Sequence, residues 1–290
     1  MRIVVTGAAG AVGRYVCTAV EAAGHELIAS DRRALRDGPP LQIIDLRDRC
    51  SVFRLLEGAE AVIHLGNHPR PWGIDPIDLF TDNAAMNINV FHAAHELGVQ
   101  RIAFASSIQV IGGGTFTEQP TSALPYLPID GDVPPNPGNG YAASKVAAEA
   151  LLASYARRCP DRSYVAIRLP GVRPEGGWRG QGRRRRTEPH PQSMRDEAFS
   201  ILAGEDAGSV MLAAATVAPN GYHCYQPAAR CTSLELSLAE IQRNWYPTVA
   251  LRGDPEQWDC PADLAPLARD LNWEPQHLPF TNPTEATTTS

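Results

Sequence analysis

The first thirteen residues constrain this chain more than any other stretch. Residues 2–6 read RIVVT, an apolar run of strand length, and Gly7-Ala8-Ala9-Gly10-Ala11-Val12-Gly13 then leads into a helical pattern over 11–23. Three glycines between a strand and a helix let the backbone approach a pyrophosphate. The helix N-terminus behind them offers unpaired N–H groups and the positive end of its dipole. Glycines also punctuate ordinary turns, so the spacing carries weight through its place at the head of a longer pattern. Gly7, Gly10, Ala11, Val12 and Gly13 are the expected phosphate-loop residues.

That longer pattern is an alternation of strand-like and helix-like segments. ELIAS ends at Asp31, LQIID covers 41–45, and a helix follows near 48–57. AVIHL occupies 61–65, a helix 82–97, RIAFASS 101–107, a long helix 141–158 and SYVAIRL 163–169. Apolar strands separated by helices predict an α/β fold of Rossmann type, a doubly wound parallel sheet covered on both faces. The Gly/Pro/Asp-rich stretch 112–140 predicts a long surface loop, and 174–197, which contains the run Arg183–Arg186, a second. Beyond it a helix near 198–215, a short strand HCYQ, a helix from Leu234 and a helix near 262–271 predict a smaller C-terminal substrate lobe. The expected division is 1–173 for the nucleotide domain, 174–280 mainly for that lobe, and 281–290 as a tail without order.

Asp31 closes the second strand about twenty residues after the glycine loop, where a carboxylate accepts hydrogen bonds from a ribose diol. A turn or cap Asp fits the same place; after the glycine loop the ribose role is favoured. A carboxylate there repels a 2′-phosphate, which favours NAD over NADP, although Arg32 and Arg33 could each face such a phosphate. Asp45 and Leu46, at the end of the third strand, either border the adenine or simply terminate the strand.

Composition matters at one residue. The chain of 290 residues holds 25 arginines and one lysine, Lys145, and a site that needs a compact ammonium cannot accept a planar guanidinium. Tyr141-Ala-Ala-Ser-Lys145 puts a phenol and that ammonium four residues apart on one helical face. Such a lysine is expected to favour the phenolate and lower the tyrosine pKa, which makes Tyr141 a workable general acid/base. Tyr and Lys meet at this spacing by chance on many helices. The upstream glycine loop, the strand ending in Ser106-Ser107 and the isolation of Lys145 decide for the catalytic reading.

TGAAGAVG at 6–13, Asp31, IIDL at 43–46, HLG at 64–66, FASSIQVIG at 104–112 and YAASK at 141–145 resemble the extended short-chain dehydrogenase/reductases, the NAD-dependent epimerase/dehydratase group. The likeness is strong over 1–170 and looser in GEDAGSVMLAAA at 204–215 and LNWEP at 271–275. It implies that Tyr141 exchanges the proton of a substrate alcohol, that Lys145 holds the nicotinamide ribose, and that Ser107 hydrogen-bonds the reacting oxygen, with Ser106 as fallback. It further implies cofactor contacts at Leu65, Gly66, Asn83, Pro170 and Val172; a helix-capping Asn is a rival reading of Asn83. Ser106, Asn67, Arg179 and Arg183 are the expected substrate contacts, although a solvated loop explains the arginine run at least as well. A homodimer through two helices per subunit is also implied.

Departures from the family pattern narrow the chemistry. Sugar dehydratases of the group carry an Asp-Glu pair after the serine position, and this chain has Ile108-Gln109, which disfavours dehydration. RLPGVRP at 168–174 replaces the Asn and Tyr-Gly-Pro usual in nucleotide-sugar epimerases, and VIG at 110–112 with the short chain is similar to the uronate dehydrogenase branch. The expected activity is reversible hydride transfer at a secondary alcohol of a sugar or sugar-derived substrate. Epimerisation and net dehydrogenation both stay open, with a slight lean to the epimerase label; the alternative from another class is a silent NAD-binding regulator.

A net charge of −6 and a pI near 5.8 argue against nucleic acid and anionic membrane as partners. Six scattered cysteines, with no CxxC and no zinc spacing, predict reduced thiols, no metal and a cytoplasmic location.

Overall fold

The computed structural model describes residues 1–34, 40–112, 124–173, 197–234 and 236–279. Its centre is a seven-stranded parallel sheet built from β1 (Arg2–Thr6), β2 (Glu26–Asp31), β3 (Leu41–Ile43), β4 (Ala61–His64), β5 (Arg101–Ser107), β7 (Ser163–Leu169) and β10 (Gly221–Tyr225). The spatial order is β10-β7-β5-β4-β1-β2-β3, which reverses direction beside β1. Ligands of open parallel sheets bind outside the carboxyl ends of the strands at such a reversal. The middle strands read as continuous apolar runs because both faces are covered: every residue of β7 is buried, as are six of the seven in β5.

One face carries α1 (Ala11–Ala22) and α5 (Gly204–Thr216), whose Val16, Val20, Val210 and Met211 pack on Ile3, Val5 and Val165. The other carries α2 (Arg49–Leu56), α3 (Pro76–Glu96) and α4 (Gly140–Arg158), whose Leu55, Phe91 and Leu152 pack on Val4, Val62 and Ile102. α1 and α5 approach closely because two glycines sit between them. A Cβ at Gly204 would lie 2.2 Å from the Tyr15 ring, and one at Gly208 would lie 2.6 Å from the Tyr15 carbonyl. Helix starts follow local chemistry: the side chains of Asp48, Asp75 and Asn139 each accept a hydrogen bond from a first-turn amide.

Several sequence expectations shift. The third strand is shorter than LQIID, and α3 starts at Pro76 rather than near 82 because Asp75 caps it and proline suits the first helical turn. The loop expected over 112–140 contains β6 (Tyr126–Leu127), which pairs with β11 (Ala250–Leu251). The helix expected near 198–215 begins only at Gly204, after β9 (Ile201–Ala203), which pairs with β8 (Gly171–Arg173). The first three residues of HCYQ, expected in the smaller lobe, belong to β10, which forms the edge of the main sheet against β7. The remaining helices, α6 (Leu238–Trp245) and α7 (Ala265–Leu271), close the C-terminal part. Among the described residues no helix is long and apolar enough to cross a membrane, and no His/Cys/Asp/Glu cluster could hold a metal.

Candidate active site

A cleft of about 540 Å³ opens at the carboxyl ends of β1, β2, β4, β5 and β7. Its floor at one end is the glycine loop. Gly7 has φ +71°, and a Cβ there would lie 2.8 Å from the Gly66 amide nitrogen. A Cβ at Gly13 would meet the Gly7 carbonyl at 2.2 Å, so only glycine allows the loop to fold this tightly against α1. Gly10 is the N-cap of α1, without a side-chain cap and without an acidic residue in the first turn. The helix end therefore faces the cleft with no capping side chain and no acid of its own first turn over its amides, a setting that suits a pyrophosphate. At the end of β2 the Asp31 carboxylate accepts hydrogen bonds from the Ala9 amide at 3.0 Å and the Arg33 amide at 3.1 Å. Those bonds tie Asp31 to the glycine loop and fix its place on the wall.

The opposite end of the cleft holds Ser107, Tyr141 and Lys145. Ser107 is the last residue of β5; Tyr141 and Lys145 lie in the first turns of α4, which Asn139 caps through the Ala142 amide at 2.8 Å. The Ser107 hydroxyl lies near the Tyr141 phenol. Burial pushes the phenol up to about 12, while the nearby Ser107 hydroxyl acts to lower it and the Glu197 carboxylate to raise it. Burial pulls Lys145 down to about 7, with Glu149 one turn later acting to raise it. Its Nζ donates to the Ala105 carbonyl at 2.7 Å and to Asn67 Oδ1 at 2.8 Å. The expected depression of the Tyr141 pKa by the lysine is thus not found here. The ammonium sits 5.6 Å from the centre of the Tyr141 ring and is bonded to other groups, and desolvation of the phenol dominates.

Of the expected cofactor positions, Gly7, Gly10, Ala11, Val12, Gly13, Asp31, Arg32, Asp45, Leu46, Leu65, Gly66, Pro170 and Val172 all line the cleft. Asn83 does not. It is fully buried behind the wall, accepting from the His68 amide at 2.8 Å and donating to Ser144 Oγ at 3.1 Å, so it braces α3 against α4. Two expected substrate contacts, Ser106 and Asn67, line the cleft and also carry internal bonds. The Ser106 hydroxyl donates to Glu149 at 2.6 Å, within a buried pair that Glu149 makes with Arg168 at 2.8 Å. Asn67 is held by Lys145, and its amide donates to Gly66 O and Asn87 Oδ1. Arg179 and Arg183 lie outside the described residues.

Sequence reasoning missed several lining residues. Glu197 stands beside Tyr141, brought there by the return of the chain into β9, a placement without any local motif. Arg47 spans the wall between the ends of β3 and α3, bonding Asp45 at 2.7 Å and Asp82 at 3.1 Å, and His68 meets the same Asp82 at 3.0 Å. Asp82 lies on the exposed face of the helical pattern one residue before Asn83, which was the only available signal.

Comparison with known proteins gives a family match and a set of relatives. The profile described as "NAD dependent epimerase/dehydratase family" matches residues 3–190. A uronate dehydrogenase of Pseudomonas syringae pv. tomato is 34% identical over 182 residues, 60% of each chain. An L-arabinose 1-dehydrogenase (NAD(P)(+)) of Haloferax volcanii is 34% identical over 163 residues, 54% of this chain and 62% of that protein. The aligned stretch therefore spans about three-fifths of the length of these curated relatives. Among solved structures, MoeE5 in complex with UDP-glucuronic acid and NAD superposes with a TM-score of 0.67 over 96% of this chain and 95% of that one, at 22% identity, a likeness of fold.

Proposed function

Because the chain belongs to the NAD-dependent epimerase/dehydratase family, we propose that it is an NAD-dependent oxidoreductase acting on a secondary alcohol of a sugar or sugar-derived substrate. The observation that carries this reading is the single cleft that joins the glycine loop and Asp31 at one end to Ser107, Tyr141 and Lys145 at the other. The glycine cradle, the uncovered start of α1 and the carboxylate of Asp31 fit a dinucleotide, with Asp31 favouring a free ribose diol and hence NAD over NADP. Bound there, the nicotinamide supplies or accepts a hydride at the substrate carbon.

The residues of this chain handle the proton and the orientation. Ser107 hydrogen-bonds the substrate oxygen, and Tyr141 takes the hydroxyl proton during oxidation or returns it during reduction. A phenol held near 12 in the free protein is a poor base at neutral pH. The proton transfer therefore relies on the Lys145 ammonium, held by its present acceptors 5.6 Å from the centre of the Tyr141 ring, to lower the barrier electrostatically, and a bound cofactor ribose would give it a further acceptor. Glu197, beside Tyr141 on the cleft wall, places a carboxylate next to the reacting alcohol. The positions after the serine, Ile108 and Gln109, offer no acid for an elimination, so dehydration stays disfavoured.

Net dehydrogenation is the first form of this reaction, since both curated relatives described above are named as dehydrogenases. Epimerisation through a transient ketone is the second, and the family name favours it. The location proposed is the cytoplasm, in keeping with six scattered cysteines that carry no CxxC spacing. The assembly proposed is a homodimer through α3 and α4, whose outer face exposes Ile77 and Ile88. The test is to purify the protein, ask whether NAD co-purifies, and screen sugars, uronates and sugar nucleotides for NADH and for isomerised product. Free NADH supports dehydrogenase; retained NAD with isomer and no NADH supports epimerase. Neither product from a protein that binds NAD leaves the silent regulator.

A further inference from the structure

Behind the cleft wall a chain of polar side chains runs from the first strand to the lysine. The Gly66 amide donates to Thr6 Oγ1 at 3.2 Å, and Thr6 Oγ1 meets His64 Nδ1 at 2.6 Å. His64 Nε2 meets Asn87 Oδ1 at 3.0 Å; the same oxygen takes Asn67 Nδ2 at 2.9 Å, and Asn67 Oδ1 takes Lys145 Nζ at 2.8 Å. Thr6, His64 and Asn87 are each at most 1% exposed.

The direction of every bond follows from the lysine, which can only donate. Asn67 must turn its oxygen to Nζ, so its amide nitrogen faces Asn87, which must answer with its own oxygen. His64 must then carry its hydrogen on Nε2, leaving Nδ1 to accept from the Thr6 hydroxyl. Burial keeps this imidazole neutral, as the bonding requires, by pulling it down to about 3. Asn87 Nδ2 has no partner among the described residues, a loss ordinarily avoided in a buried amide. The other end of that amide is fixed strongly enough to tolerate it. Phe91 and Phe104, with ring centres 5.5 and 5.7 Å from that of His64, fix the imidazole plane.

We infer that His64 and Asn87, which do not line the cleft, are positioning residues: they lock the Asn67 amide so that its oxygen and the Ala105 carbonyl hold the Lys145 ammonium at the cleft floor. The inference deepens the reading of Lys145 given above and rests on it for its catalytic meaning, while the geometry stands by itself. The charged or titratable groups around the ammonium are Tyr141 and Glu149 on α4, His64 on β4, and Arg168 on β7, which is paired with Glu149. β5 presents only the Phe104 ring and the Ala105 carbonyl to it, and α3 only the neutral Asn87, through Asn67.

The composition supplies the test, because Lys145 is the one lysine in the chain. Protein labelled with ¹⁵Nζ,¹³Cε-lysine gives a single side-chain NMR signal, whose titration midpoint reports the groups that hold the ammonium. Asn67→Ala removes the last link and sets the scale, a fall of roughly one pH unit as the charged form loses an acceptor. His64→Phe keeps the ring packing and Asn87→Leu the volume, while each removes the hold on Asn67. Both are expected to lower the midpoint by at least half the Asn67→Ala shift, with circular dichroism unchanged. A midpoint equal to wild type in the folded variants overturns the inference. If His64→Phe does not fold, Thr6→Val with Asn87→Leu carries the same comparison. Calorimetric titration with NAD on the wild-type sample reads the proposed function separately, since failure to bind NAD leaves the lysine signal and its shifts intact.

Discussion

Lys145 is the residue on which the proposed chemistry rests most heavily. Its Nζ has two short acceptors, Asn67 Oδ1 and the Ala105 carbonyl, in a space closed by Phe104 and Tyr141. A guanidinium keeps the charge but not the compact shape. Lys145→Arg is therefore expected to lower kcat at least tenfold while the protein still folds, measured as NADH formation on whichever sugar proves active. The lysine also makes a pH-dependent contribution to stability. Its proton leaves near 7 in the folded chain and near 10.5 in the unfolded one, so between those values the unfolded state binds more protons and stability rises with pH. Below about 7 the penalty for burying the ammonium is present in full. The gap corresponds to a few kcal/mol on the order-of-magnitude scale of pKa shifts. Urea unfolding of the cofactor-free protein across pH 7–10 is expected to show wild type gaining stability relative to Lys145→Met as pH rises, the buried thiols and phenols contributing equally to both. An equal slope in both proteins would contradict the assignment. The placement of this residue beside Tyr141 in the cleft was legible in the sequence, through its spacing from that tyrosine. Its bonding was not, because Asn67, His64 and Asn87 converge on it only after three strands and a helix have packed.

At the scale of elements, the glycine loop and α4 position the two ends of the cleft, and each fails in its own way. Gly13→Val places side-chain atoms where the Gly7 carbonyl already sits, 2.2 Å from an added Cβ. The expected result is loss of NAD binding by calorimetry, with melting also lowered because α1 must move off β1. α4 is anchored at the level of the active site by Glu149, which holds both Ser106 and Arg168 in the interior. Glu149→Leu leaves the Arg168 charge without its partner, and removing one member of a buried pair costs about 3–5 kcal/mol. Chemical denaturation checks that loss, and the double variant Glu149→Leu/Arg168→Met is expected to recover much of it. Strand–helix alternation up to β7 was readable because buried parallel strands are apolar throughout and the helices carry caps. β10 was misplaced into the smaller lobe because a single edge strand, HCYQ, does not reveal its partner; its parallel pairing with β7 is a long-range fact. Glu197 escaped for the same reason, since only the fold brings the chain after 196 back to Tyr141.

For the whole molecule, the claim is that the dinucleotide end and the proton-transfer end of one cleft work together on a sugar alcohol. The family match covers 3–190, and the seven-stranded sheet is completed by β10 beyond that range, so the machinery depends on chain both inside and outside the matched stretch. The most direct test is NADH formation by the purified protein with NAD and a panel of sugars and uronates, read beside a Tyr141→Phe variant. The account predicts turnover with at least one of these substrates and a fall of at least a hundredfold, on the order of a general acid/base contribution, in a variant that still binds NAD. A Tyr141→Phe protein that matches wild type in rate would contradict it.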